Sequence, residues 1–135
     1  MNKSTPTIVI ASEDVEAVRG FQQASISKGY NVLVERGKLQ AIRAILEHQV
    51  ICLVLDLECF GSDSLAFMNI VKKIRPRLPI VVLSAEEKIS STRMLAEFGT
   101  FYRGVKPLSV QEIEHVVEGV DSNLMRNKDY LYASL

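Results

Sequence analysis

The chain has 135 residues, of which 47% are hydrophobic, so it is long enough for one domain with a substantial core and too short for two. Its 16 basic and 16 acidic residues balance, which argues against a surface built to attract nucleic acid or an anionic membrane. The two cysteines follow neither a metal-site nor a secreted-disulfide pattern, and the apolar stretch near the N-terminus is too short for a signal peptide or a membrane span. We therefore expect a soluble, cytoplasmic protein.

Short apolar runs alternate with longer stretches of helical period along the chain. The first run, Thr7–Ala11, predicts a strand, and Ser12 is expected to cap the helix that follows it. That helix should end near Gly29, before a second strand over 30–35. Residues 39–46 then carry the apolar positions of a second helix. The first half of the chain thus predicts two strand-helix pairs.

Residues 50–55 form an unbroken apolar run, which is typical of a central parallel strand covered by helices on both faces. The run ends at Asp56, and a loop over 57–63 is expected to lead into a helix from about Ser64 to Ile74. Residues 79–84 predict the fourth strand.

The remaining chain predicts a fourth helix over about 87–98, closed by Gly99, and a fifth, less apolar strand over 100–105. Ser109 is expected to cap the last helix. We assign one domain to residues 1–120, with 121–135 as an extension of that helix or a linker to an output domain.

Strands that alternate with helices predict a doubly wound α/β domain with a parallel sheet, and such sheets bind ligands at the carboxyl ends of their strands. The polar residues predicted at those ends are Ser12, Glu13, Asp14, Asp56, Ser84 and Lys106.

This set could support phosphoryl chemistry. Asp56 could act as a nucleophile towards a phosphoryl group, provided that a cation neutralises the crowded negative charge. Mg²⁺ suits the task because it prefers oxygen ligands, and Glu13 with Asp56 could hold it. Lys106 and Ser84 could contact phosphate oxygens. Taken singly, Asp56 is about as often a turn former as a functional residue. A lone Ser84 is more often a helix cap, and a lone Lys106 is more often a solvated loop residue. The acidic cluster of Glu13, Asp14 and Glu16 more often complements the helix dipole.

The joint placement resembles the CheY-like receiver domain of response regulators, the partners of sensor histidine kinases, over about residues 7–120. The matching stretches are IVIASED, ICLVLDLECFGSDSLAFM, PIVVLSA and AEFGTFYRGVKPL. The resemblance implies a flavodoxin-like (βα)5 fold with strand order 2-1-3-4-5. It places the phosphoacceptor at Asp56, the phosphate-contacting hydroxyl at Ser84, and the phosphate-contacting lysine at Lys106, before Pro107, where a cis peptide is common in the family.

The sequence departs from this family around the metal site. Receivers usually carry two adjacent acidic residues after the first strand, and these positions read Ser12 and Glu13 here. The resemblance implies Mg²⁺ ligands at Glu13, Asp56 and the backbone carbonyl of Glu58, with Asp14 as a further candidate. We expect weak binding, since Ser12 removes one carboxylate.

Further departures affect the pocket rim and the signal readout. The usual loop proline falls on Phe60 and a second loop glycine on Ser64. The family's switch aromatic falls on Arg103, whose charge opposes burial, and the neighbouring Tyr102 should point to the other side of its strand.

The leading functional hypothesis is a two-component receiver that accepts a phosphoryl group on Asp56 from a histidine kinase or phosphotransfer protein. It would modulate a partner surface formed by the fourth predicted helix, the fifth strand and the last helix, without being an enzyme beyond the chemistry at Asp56. The alternative is a pseudo-receiver that acts as an interaction or dimerisation module without phosphorylation. A fused output domain and a homodimer remain open, and we expect no direct nucleic-acid binding.

Overall fold

The computed structural model describes residues 5–85 and 99–126. Within these ranges the chain forms one five-stranded sheet in the order β2-β1-β3-β4-β5, and every pairing is parallel. The strands are β1 (Thr7–Ala11), β2 (Asn31–Val34), β3 (Val50–Asp56), β4 (Ile80–Ser84) and β5 (Tyr102–Val105). The predicted doubly wound α/β fold and its strand order are therefore confirmed.

The described helices connect these strands. They are α1 (Val15–Ser27), α2 (Lys38–Glu47), α3 (Leu57–Phe60), α4 (Ser64–Ile74) and α5 (Val110–Arg126). The predicted helix over 87–98 lies outside the described residues, as do residues 127–135 of the predicted extension. Among the described helices, none combines the length and the apolar character needed to cross a membrane.

Strand β3 is buried along its whole length, as its unbroken apolar run predicts. Its side chains alternate between two cores, with Leu53 and Leu55 on one face of the sheet and Cys52 and Val54 on the other. Helices α2 and α4 cover the first face, and helices α1 and α5 cover the second. This double cover places the carboxyl end of β3 at the centre of one edge of the sheet.

The first helix is capped by Asp14, so the prediction that Ser12 would cap it is wrong. Asp14 has an extended backbone, and its Oδ1 accepts a hydrogen bond of 3.0 Å from the Ala17 amide. Ser12 lies two residues before this cap and three before Val15, the first residue of the helix. The Ser12 hydroxyl instead accepts a hydrogen bond of 3.1 Å from the Asp14 amide.

Residues 57–63 form the single turn α3 and a 3₁₀ turn, Gly61–Asp63, where the sequence predicted a loop. The Asp56 carboxylate explains the difference, because it accepts a hydrogen bond from the Glu58 amide and so caps α3. Gly61, with a φ of 56°, ends the turn.

Helix α2 buries a narrower stripe than its apolar residues predicted. Ala41, Ala44 and Ile45 are in the core, whereas Leu39 is 79% exposed and Leu46 is 63% exposed. Two expectations at other helices are confirmed, since α4 spans Ser64–Ile74 and the Ser109 hydroxyl caps α5 by accepting from the Glu112 amide at 3.0 Å.

Truncating Phe21 tests the packing of α1 on the sheet. Phe21 is 1% exposed, so Phe21→Ala should lower the free energy of unfolding by about 3–5 kcal/mol through lost burial and a residual cavity. Ile26, on the same helix, is 62% exposed, and Ile26→Ala should change it by no more than about 0.5 kcal/mol. Urea denaturation followed by circular dichroism measures both, and equal losses in the two variants would contradict this packing.

Candidate functional site

Four polar residues come together where the strands end. Asp56 is the last residue of β3 and is 2% exposed, while Ser12 follows β1 and is fully buried. Ser84 ends β4 and is also buried, and Lys106 directly follows β5. The structure thus brings the predicted phosphoacceptor to the centre of a pocket at the carboxyl edge of the sheet.

The carboxylate of Asp56 is held on both of its oxygens. The Ser12 hydroxyl donates to Oδ2 at 2.7 Å, and the Glu58 amide donates to Oδ1 at 3.1 Å. The Lys106 ammonium lies 3.0 Å from Oδ1 and 2.8 Å from Oδ2. A buried carboxylate is stable only when its charge is compensated and its oxygens are hydrogen-bonded, and this set satisfies both conditions.

Lys106 is fixed from both its backbone and its side chain. The Lys106–Pro107 peptide is cis, and the Lys106 amide donates to the Ser84 carbonyl at 2.8 Å. Its ammonium also lies 2.9 Å from Glu58 Oε1 and 3.9 Å from Asp14 Oδ2. Burial lowers the pKa of Lys106, but the hydrogen bonds and charges of Asp56 and Glu58 outweigh burial, so the pKa is raised above its ordinary value. The ammonium therefore remains charged inside the pocket.

Two other predicted residues lie at the edge of this network. Glu13 is exposed. The pKa of the Cys59 thiol is raised first by burial and then by the nearby negative charges of Glu13 and Asp56, which places Glu13 close to Cys59. Glu13 therefore lies at the rim of the pocket. Ser84 lies one residue beyond Leu83, which is the partner of Asp56 in the pairing of β3 with β4.

The donor set has the chemistry of a cation site, since carboxylate oxygens of Asp56, Asp14 and Glu58 all lie within 3.9 Å of the Lys106 ammonium. Oxygen donors of this kind are the ligands that Mg²⁺ prefers. Over residues 5–85 and 99–126, however, no three Asp, Glu, His or Cys side chains are grouped so as to hold a metal ion. The described residues thus supply oxygen donors of the right chemistry for Mg²⁺, without a preformed group of three metal-binding side chains.

Arg103, at the predicted switch position, and its neighbour Tyr102 lie on opposite faces of β5. Arg103 is half-buried and pairs with Val82, whose side chain belongs to the core under α2 and α4. Tyr102 packs against the core under α1 and α5, and its hydroxyl donates to the Glu112 carboxylate. Tyr102 is therefore held away from the face that Arg103 occupies.

Phe60 and Ser64 anchor the segment that follows Asp56. Phe60 is 9% exposed and packs edge-to-face on Phe67, with ring centroids 4.8 Å apart. The Ser64 hydroxyl donates to the Leu57 carbonyl at 3.2 Å. The departures from the family at these two positions thus supply contacts that a proline and a glycine lack.

Two features of the site were missed in the sequence. The sequence predicts a helix cap and a lost carboxylate at Ser12, but its hydroxyl binds Asp56, and it predicts no role for the Glu58 side chain, which binds Lys106. The placement of Ser12 directly after a buried strand was the available signal for the first. The reach of a glutamate two residues after the acceptor was the signal for the second.

No protein-family profile matches the chain. Over 115 residues it is 29% identical to the DNA-binding transcriptional regulator NtrC of Azospirillum brasilense, covering 85% of this chain and 24% of that protein. Over 104 residues it is 28% identical to an NtrX-like response regulator of Rickettsia conorii, covering 75% of this chain and 22% of the relative. The chain spans about a quarter of the length of these curated relatives.

Solved structures agree on the fold. A response regulator from Thermotoga maritima superposes with a TM-score of 0.77 at 19% identity, covering 87% of this chain and 98% of the other. The non-phosphorylated HemR receiver domain of Leptospira biflexa gives a TM-score of 0.75 at 19% identity, covering 85% and 93%. The chain therefore has the CheY-like receiver fold. Its similarity in sequence is to response regulators of the NtrC and NtrX kind.

Removing the Ser12 hydroxyl tests its contact with Asp56. Ser12→Ala should lower the free energy of unfolding by about 1.5–3 kcal/mol, since a buried hydrogen bond to a charged group is lost. Ser25 is an equally buried serine whose hydroxyl has no hydrogen-bond partner, so Ser25→Ala should leave stability unchanged or raise it. The two variants are compared by urea denaturation at neutral pH, and equal effects would show that the Ser12 hydroxyl does not bind Asp56.

Proposed function

We propose that this chain is a two-component receiver that accepts a phosphoryl group on Asp56. The observation that carries the proposal is the buried Asp56 carboxylate at the end of the central strand, with the Lys106 ammonium 3.0 and 2.8 Å from its two oxygens. A cavity of about 230 Å³ lies beside Lys106, and it is lined by Asp14, Glu16, Ala17, Ala85, Pro107, Leu108 and Ile113.

In the proposed reaction, an oxygen of Asp56 attacks the phosphorus of a phosphohistidine. An O–P bond forms, the N–P bond breaks, and its electron pair stays on the imidazole nitrogen of the donor. Lys106 stabilises the negative charge that develops on the phosphoryl oxygens, and the Ser84 hydroxyl donates to one of them. Ser12 and the Glu58 amide hold the carboxylate in place during the attack.

Mg²⁺ is the proposed cofactor, and it would supply further charge neutralisation between the carboxylate and the phosphoryl group. Asp56, Glu13 and the backbone carbonyl of Glu58 are its proposed ligands, with Asp14 as a further candidate. Weak binding of Mg²⁺ is supported by the exposure of Glu13 at the rim and by the presence of a serine, not a carboxylate, at position 12.

The proposed partners follow from the relatives. A sensor histidine kinase or a phosphotransfer protein would supply the phosphoryl group within a phosphorelay. Because the chain matches about a quarter of longer regulators, a fused output domain is proposed to receive the signal, through a surface that includes β5 and α5. A homodimer is a further proposal. The free thiols of Cys52 and Cys59 support a reducing compartment such as the cytoplasm.

A pseudo-receiver is the second candidate function. The serine that binds Asp56 and the Arg103 side chain at the switch position favour it, because both differ from what a phosphorylated receiver uses. In that case the domain would act through its surfaces alone, and Asp56 would be a structural carboxylate.

Intact-mass spectrometry after incubation with Mg²⁺ and acetyl phosphate separates the two functions. We expect the wild type to gain the mass of one phosphoryl group, because Asp56 is the only carboxylate in the described residues that is paired on both oxygens with the Lys106 ammonium. Asp56→Asn should gain none.

A series without added metal and with increasing Mg²⁺ completes this experiment. Adduct formation should rise across the series without a sharp plateau if the ion is weakly held. An adduct that survives in Asp56→Asn would place the chemistry elsewhere. The absence of any adduct at every Mg²⁺ concentration would favour the pseudo-receiver.

A further inference from the structure

The Lys106 ammonium is in contact with two carboxylates, which together place three oxygens around it. Two acceptors are the oxygens of Asp56, at 3.0 and 2.8 Å, and the third is Glu58 Oε1, at 2.9 Å. A phosphoryl oxygen that approaches Lys106 therefore meets the negatively charged Glu58 carboxylate in contact with the same ammonium.

The three side chains differ in how readily they can move into water. The side chain of Asp56 is 2% exposed and that of Lys106 is 13% exposed, whereas that of Glu58 is 49% exposed. Releasing Asp56 from Lys106 would leave a buried charge uncompensated, which is costly. Releasing Glu58 returns a carboxylate to solvent at small cost. Of the contacts to Lys106, the one made by Glu58 is therefore released at the lowest cost in free energy.

We propose that the Glu58 carboxylate is an internal competitor of the phosphoryl group for Lys106, an inference that rests on the proposed phosphorylation of Asp56. In the unphosphorylated protein, Glu58 occupies the donor that a phosphoryl oxygen would take. Phosphorylation adds a charge of about −1.5 to −2 with three strong acceptor oxygens, which displaces and repels Glu58.

Glu58→Gln tests the competition. The amide keeps the size of the side chain but removes the charge that holds Lys106, so the rate of adduct formation from acetyl phosphate with Mg²⁺ should rise about twofold to fivefold. The lower the donor concentration, the larger the gain should be, because a competitor matters most when the donor is scarce. Intact-mass time courses at several donor concentrations measure the rates.

Glu16→Gln is the matched control. Glu16 is an exposed carboxylate that lines the same cavity as Lys106, so the variant removes one negative charge nearby without changing the Glu58–Lys106 contact. Its rate should stay at the wild-type value. Circular dichroism of both variants verifies that they are folded.

The outcomes separate this inference from the function on which it rests. Adducts that form equally fast in the wild type and Glu58→Gln overturn the competition and leave phosphorylation of Asp56 intact. Equal acceleration by Glu16→Gln and Glu58→Gln overturns it as well, since a general charge effect then suffices. If no variant forms an adduct, the proposed function fails and the competition fails with it.

Discussion

The ion pair between Asp56 and Lys106 is the interaction on which the pocket depends. A carboxylate that is 2% exposed at the end of a central strand must be neutralised by the protein itself, because ionised groups are poorly tolerated away from water. The strand order places a compensating charge nearby, because β3 and β5 flank β4 and their carboxyl ends lie at the same edge of the sheet. The lysine after β5 can therefore reach both oxygens of the aspartate that ends β3.

Two further groups bind this ion pair from either side. Ser12 holds Asp56 through a neutral hydroxyl, and Glu58 supplies a carboxylate that holds Lys106. The pocket thus keeps its acidic groups largely engaged by one internal ammonium. Any group that approaches this ammonium therefore meets contacts that the chain already makes for itself.

The sequence predicted the features that follow from periodicity and topology. The five strands, the burial of β3 and the meeting of Asp56 with Lys106 at one edge all depend on apolar patterns and on the rule that parallel strands share their carboxyl ends. The misses have a different origin. The helix cap at Asp14 and the turn α3 depend on local backbone angles, and the Glu58–Lys106 contact depends on side-chain rotamers across a distance of 48 residues in sequence. Neither kind of detail is encoded in a hydrophobic pattern.

A double-mutant cycle on Asp56 and Lys106 tests the central claim most directly. Asp56→Asn, Lys106→Met and the double variant would be unfolded in urea at neutral pH. If the two residues form the ion pair on which the pocket depends, the loss in the double variant will be smaller than the sum of the single losses, with a coupling of about 1–3 kcal/mol. Losses that add to within about 0.3 kcal/mol would show that the residues do not interact, and would contradict the account.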